Sequence, residues 1–190
     1  MNILAFSGSL RSASYNQLLV GAAARVATEF GATVQLISLR DYPLPIFSED
    51  LEKAEPPKNA QLLKEFFINS HGFLIASPEY NSSVTAALKN VIDWVSRTEA
   101  GKPPLAGFKG KTGALLSAST GALGGLRGLI HLRAILGNIG VHVLPDQYAL
   151  GKAQEAFNPD GSLKDEKAIT AVRNLTKFFC DVTRALHRLA

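Results

Sequence analysis

Little in this sequence invites covalent or metal chemistry. A single cysteine, Cys180, among 190 residues excludes an internal disulfide. It sits between Phe179 and Asp181 in a helical stretch, which reads as a buried thiol and not a reactive one. The four histidines, His71, His131, His142 and His187, share no metal-ligand spacing with one another or with Cys180, so each reads as a core or surface residue. No apolar run approaches the ~20 residues that a membrane helix requires, and the chain does not open on a basic segment leading into a secretory core. A cytoplasmic location is the expectation. The familiar nucleotide-binding loops are missing too. G-x-G-x-x-G would need glycine at position 10, where Leu10 stands, and Gly110-Lys111-Thr112 has Leu105 in place of the leading glycine of a P-loop.

An acidic excess is also lacking, since the net charge is +4 and the pI about 9.3. The lysines and arginines are interleaved with acids and form no stripe with aromatics, which argues against nucleic acid and leaves a mild attraction for small anions. With 46% hydrophobic and 19% charged residues, residues 1–190 fit one globular domain with a continuous core.

What is present begins at the first residue. Met1–Ser7 reads as a buried strand that runs into Gly8-Ser9-Leu10-Arg11-Ser12-Ala13-Ser14-Tyr15-Asn16, after which a helix starts. The free N–H groups and positive dipole end of that helix face the turn. Ser9, Ser12, Ser14 and Asn16 can donate from their side chains, and Arg11 brings a full charge in a fork that suits phosphate oxygens. One such residue would suffice as a helix cap. Four of them with an arginine predict an anion site.

Further along, Leu18, Leu19, Ala22, Ala23, Val26 and Phe30 recur at helical spacing and Gly31 closes the helix, so that Thr33–Leu39 completes a βαβ unit. Residues 40–58 carry four prolines and predict a long loop. A helix bearing Leu62, Leu63, Phe66 and Phe67 leads to a central strand, Phe73–Ala76. The stripe Val84, Ala87, Leu88, Val91, Ile92 and Val95 predicts a helix with one buried face, with Trp94 at its edge as core or subunit contact. Lys111–Ser119 and Val141–Leu144 read as the last two strands. Between them a helix carries a wide stripe, Leu126, Leu129, Ile130, Leu132, Ile135 and Leu136, whose surplus suggests an oligomer surface. A loop to about residue 163 precedes a final helix with Ala168, Val172, Leu175, Phe179, Val182, Leu186 and Leu189 on one face.

Five strands alternating with five helices specify a three-layer α/β sandwich around a doubly wound parallel sheet. Ligands of such folds bind beyond the carboxyl ends of the strands. Three loops lie there: Gly8–Asn16, Ser77–Ser83 and Ser117–Gly125. Pro78 stiffens the second, Tyr80 offers a ring or a hydroxyl, and the glycines of the third allow close backbone approach. An anion at the first loop and a planar ring held by the other two describes a mononucleotide.

Gly-Ser-Leu-Arg-x-x-Ser-x-Asn at 8–16, Pro-Glu-Tyr-Asn at 78–81, Leu88-Lys-Asn-x-Ile-Asp-Trp94 and Ser119-Thr-Gly-x-x-Gly-Gly125 followed by His131-Leu-Arg133 resemble the NADPH-dependent FMN reductase family, which includes chromate, quinone and azo-dye reductases. Thr85-Ala-Ala87 departs from the Pro-Gly-rich helix start of many members. The resemblance implies a single flavodoxin-like domain with strand order 2-1-3-4-5, FMN as cofactor, NADPH or NADH as co-substrate, a small electron acceptor and a homodimer or homotetramer. It further implies that Ser9, Arg11, Ser14 and Asn16 hold the FMN phosphate with Tyr15 nearby. Pro78, Glu79, Tyr80 and Asn81 would line the ring, chiefly through backbone N–H groups, and Ser117, Ser119 and Gly121 would close the pocket. No side-chain acid or nucleophile is called for, because the reactive atom is the flavin N5. Arg97, Lys102, Lys109 and Arg127 are candidates for a co-substrate 2′-phosphate, though each reads first as a solvated charge. Two other classes fit the same loops: a flavodoxin-type electron carrier, which the basic charge disfavours, and a non-catalytic nucleotide-binding module.

Overall fold

Five apolar segments too short for helices pair side by side, all parallel, in the order β2-β1-β3-β4-β5. In the computed structural model, which describes residues 1–99 and 101–188, they are β1 (Asn2–Ser7), β2 (Thr33–Ser38), β3 (Gly72–Ala76), β4 (Thr112–Ala118) and β5 (His142–Leu150). The helices are α1 (Tyr15–Glu29), α2 (Glu49–Ala54), α3 (Lys58–Asn69), α4 (Ala86–Val95), α5 (Leu126–Asn138) and α6 (Glu166–His187). Leu189 of the last helical stripe lies outside the described residues.

Period-two alternation along the central strands splits the core into two layers. Ile3 and Ala5 of β1, Leu74 and Ala76 of β3, and Ala114, Leu116 and Ala118 of β4 pack beneath α1 and α6. Leu4, Phe6, Phe73, Ile75 and Leu115 point the other way, against α3, α4 and α5. The three-layer sandwich is as the sequence pattern predicts, and its strand order is the one the family resemblance implies.

Three local departures have physical causes. The stretch 40–58 is not a bare loop: it holds a single 3-10 turn at Leu39–Asp41 and the short α2, and it is pinned to α4. The Asn90 side chain accepts from the Phe47 N–H at 2.8 Å and donates to the Pro45 carbonyl at 2.9 Å, and the Trp94 indole donates to that same carbonyl at 2.9 Å. Trp94 is thereby a core residue, 2% exposed.

β5 runs on to Leu150, well past the Leu144 at which the sequence places its end. Pro145 reads as a stop, but β5 is an edge strand, where a bulge between the Val143 and Gln147 pairings absorbs the residue that cannot donate. The Arg133 guanidinium steadies that bulge through the carbonyls of Leu144 and Pro145 and the Gln147 side chain.

On α1 the buried set is Leu19, Val20, Ala22, Ala23, Ala24 and Ala27, while Leu18 is exposed. This helix is covered by both the sheet and α6, so small residues where the two meet are buried although they fall outside a single-stripe pattern.

A candidate flavin cleft at the strand tips

The three loops at the carboxyl ends of β1, β3 and β4 meet in one open cleft lined by Ser9, Arg11, Ser14, Tyr15, Asn16, Pro78, Glu79, Tyr80, Ala118, Ser119 and Thr120. The first loop is built on hydroxyls that fold back on the chain. Ser7 Oγ accepts the Ser9 N–H, Ser9 Oγ accepts the Arg11 N–H, and Ser14 Oγ accepts the Gln17 N–H, each at 3.2 Å. Ser9 and Ser14 are only 5% and 4% exposed. With an acceptor site of each hydroxyl spent on backbone, what remains to offer the cleft is the O–H itself. Ser14 is the N-cap of α1, so the first-turn amides at Tyr15 and Asn16 have no intrahelical partner and open on the same spot. Arg11 is exposed and makes no ion pair among the described residues. Donors alone, with one free cation, form a receptor for a phosphate group. The donor set therefore fits FMN.

Two site residues of this first loop do something other than face a ligand with their whole side chain. Asn16 is 4% exposed, and its amide is bonded in both directions to the backbone of Ala118. Its main work is to fix the start of α1 to the end of β4, with one amide hydrogen left over. Tyr15 stacks its ring on Phe157, with centroids 6.2 Å apart and planes 5° from parallel.

The second loop is a tight bridge in which Tyr80 and Ser83 exchange N–H to carbonyl bonds at 3.0 Å, with left-handed backbone at Asn81 (φ 50°) and Ser82 (φ 63°). Because the Tyr80 amide is spent in that bridge and Pro78 has none, the amides of Glu79, Asn81 and Ser82 are the donors this loop can still offer. Tyr80 lines the cleft and is 52% exposed, whereas Asn81 stands on the groove at the far side of the loop. The Glu79 carboxylate turns away to α5, taking bonds from Arg127 Nε at 2.8 Å and the Gly128 N–H at 3.2 Å. Burial works to raise its carboxyl, but those donors outweigh it and hold the group below its ordinary value of 4.5.

In the third loop Ser119 lines the cleft and its Oγ accepts the Gly121 N–H at 3.2 Å. Ser117 and Gly121 are outside the lining. Strand alternation turns Ser117 toward α5, where its fully buried hydroxyl lies under Gly125 with no hydrogen-bond partner. Gly124, with φ +62°, brings this loop so close to the end of β5 that a Cβ would fall 2.7 Å from the Ala149 and Leu150 carbonyl carbons. Sequence reasoning missed Ala118, Thr120 and Phe157. The first two lie inside the stretch it singled out, but nothing local marks a phenylalanine from beyond β5 as a support for Tyr15.

The cations considered for a 2′-phosphate are mostly committed. Arg97 pairs with Glu52 at 2.9 Å and lies over the Phe47 ring, Lys102 pairs with Glu99 at 3.2 Å, and Arg127 pairs with Glu79. Among the described residues no cluster of three or more His, Cys, Asp or Glu is placed to hold a metal, and no helix is long and apolar enough to cross a membrane.

Known proteins resemble this chain in sequence and in fold. A family model described as NADPH-dependent FMN reductase matches residues 1–155. An NAD(P)H-dependent FMN reductase of Pseudomonas aeruginosa is 36% identical over 169 residues, covering 88% of this chain and 87% of that protein. An NAD(P)H:quinone oxidoreductase of Solanum tuberosum is 33% identical over 177 residues, covering 91% and 88%. Among solved structures, the flavoenzyme NAD(P)H:(acceptor) oxidoreductase FerB of Paracoccus denitrificans superposes with a TM-score of 0.83 at 27% identity, covering 97% of each chain.

Proposed function

The chain belongs to the NADPH-dependent FMN reductase family, and from that premise we propose that it binds FMN in the strand-tip cleft and reduces a small acceptor at the expense of NAD(P)H. The observation that carries the reading is the first loop, where hydroxyls with an acceptor site already spent, unpaired helix amides and a free Arg11 converge. When bound, FMN supplies the redox chemistry, taking hydride from the nicotinamide and delivering electrons to the acceptor.

The protein's own part is binding and orientation. Ser9, Arg11 and Ser14 hold the phosphate, and Asn16 fixes the helix start that presents its amides. Glu79, which lines the cleft, would offer its backbone N–H to the ring edge, where it would stabilise charge that grows on reduction. Tyr80 and Ser119 bound the ring, and Tyr15, braced by Phe157, closes the phosphate end. Acceptors of quinone, azo-dye or chromate type are all small enough for an open cleft. Arg97, Lys102 and Arg127 each have a carboxylate partner and Lys109 has none among the described ion pairs, so little in these side chains selects NADPH over NADH.

Residues 1–190 form one FMN-binding domain in this reading, working in the cytoplasm as a homodimer or homotetramer. Leu129, Leu132 and Leu136 of α5 are fully buried, but Leu123, Leu126 and Ile130 expose 56%, 38% and 57% of their surface beside the cleft. That outward apolar set supports a partner subunit on α5.

The test is direct. Purified protein loaded with FMN is expected to be yellow and to oxidise NADPH or NADH when a quinone or ferricyanide is supplied. A protein that takes up no FMN, or a loaded protein with no acceptor-dependent NAD(P)H oxidation, would overturn the assignment.

A further inference from the structure

Arg127 and His131 are separated by one helical turn on α5, and both reach the same loop. Arg127 donates to Glu79, and His131 Nδ1 lies 2.9 Å from Ser83 Oγ. Between them Gly128 donates its N–H to Glu79 Oε2, and a Cβ there would come within 3.0 Å of the Ser83 carbonyl and 3.4 Å of Glu79 Cα. One face of α5 thus grips both ends of the segment Glu79–Ser83, and a glycine lets the backbones touch. The gripped segment contains two consecutive non-glycine residues in left-handed conformation, Asn81 and Ser82. Such backbone persists only where its surroundings over-determine it. Neither Arg127 nor His131 lines the cleft, while Tyr80, within the gripped segment, does.

We propose that Arg127 and His131 are positioning residues: a two-point clamp on α5 that fixes the Tyr80 loop in the shape that receives the flavin ring. The inference rests on FMN occupying the cleft. Loss of Arg127 leaves the Glu79 carboxylate, whose side chain is only 10% exposed, with a single amide donor, and the carboxylate then leaves for water and takes the loop with it. Loss of His131 frees the Ser83 end.

The test pairs FMN titration with hydrogen exchange on wild type, Arg127→Ala, Arg127→Lys and His131→Ala. In the flavin-free protein, exchange at the Tyr80 and Ser83 amides, which protect each other in wild type, is expected to quicken in both alanine variants while the amides of α5 and the sheet keep their protection. FMN Kd is expected to rise by about tenfold in Arg127→Ala, the scale of one lost charge-assisted contact, and by less in Arg127→Lys, which keeps the charge but not the fork. Unchanged exchange, quickened exchange with an unchanged Kd, or quickened exchange spread through α5 and the sheet would each overturn the clamp. Wild type that binds FMN beside variants that bind it equally well fails the clamp alone. Wild type that binds no FMN fails the functional reading together with it.

Discussion

The side-chain amide of Asn16 and the backbone of Ala118, 102 residues apart in sequence, are bonded in both directions: Nδ2 donates to the Ala118 carbonyl at 2.8 Å and the Ala118 N–H donates to Oδ1 at 2.9 Å. A single buried side chain completes the ladder at the end of β4 and ties it to the first turn of α1. The first and third loops of the cleft are therefore one rigid unit. Asn16→Ala would leave a buried donor and acceptor without partners, at a cost of about 1–3 kcal/mol each before relaxation or water entry. The expected outcome is a loss of about 2–3 kcal/mol in denaturant unfolding, together with weaker FMN binding. Equal unfolding midpoints for variant and wild type would contradict this role.

Lys111 is 8% exposed, and no carboxylate answers its charge among the described ion pairs. Its ammonium instead donates to the carbonyls of Ile68, at 2.9 Å, and Ser70, closing the C-terminal end of α3. Burial lowers its pKa from 10.5 to about 8. Between those values the unfolded chain holds more proton than the folded one, so stability should rise as pH climbs from about 8 to 10.5. The gain is on the order of 2 kcal/mol, less than the shift alone implies because the two carbonyls favour the charged form. Unfolding curves of wild type and Lys111→Met across that range check it. The rise should be missing from the variant, and an identical pH dependence in both would refute it.

Cys180 is fully buried, and burial pushes its thiol from 9.0 up to about 11. Thiolate is the reactive form, so an alkylating reagent near neutral pH should leave the folded protein unmodified and label it once denatured. Intact-mass measurement reads the outcome. Rapid labelling of the folded protein would show that the helix α6 opens far more readily than its packing implies.

Much of the fold was legible because its signals are local. Five apolar runs bounded by glycine, proline and polar turns fix the strand count, and their alternation with helical stripes fixes the class. Order β2-β1-β3-β4-β5 places the loops after β1, β3 and β4 side by side, so that residues 9–16, 78–80 and 119 form one cleft. Features hidden from sequence depend on distant partners. Pro145 ends a strand by local rules, yet the edge position of β5 and the Arg133 guanidinium carry the strand through it. Trp94 reads as a core or subunit contact, but nothing local shows that its indole and the Asn90 side chain hold the backbone of Pro45 and Phe47. Strand alternation, which sequence shows, turns Ser117 away from the cleft, but only the packing of α5 shows what covers it.

Equilibrium titration of the flavin-free protein with FMN, comparing wild type with Arg11→Ala and FMN with riboflavin, tests the central claim most directly. The Arg11 side chain has no partner among the described residues, so its removal should cost ligand affinity and little fold stability. Wild type should bind one FMN per chain, with inorganic phosphate competing. Arg11→Ala should weaken binding by about 1.5–3 kcal/mol, roughly 10- to 150-fold, and riboflavin, which lacks the phosphate, should show no such dependence on Arg11. FMN affinity that is the same with and without Arg11, or an FMN that binds no better than riboflavin, would contradict a phosphate site between β1 and α1.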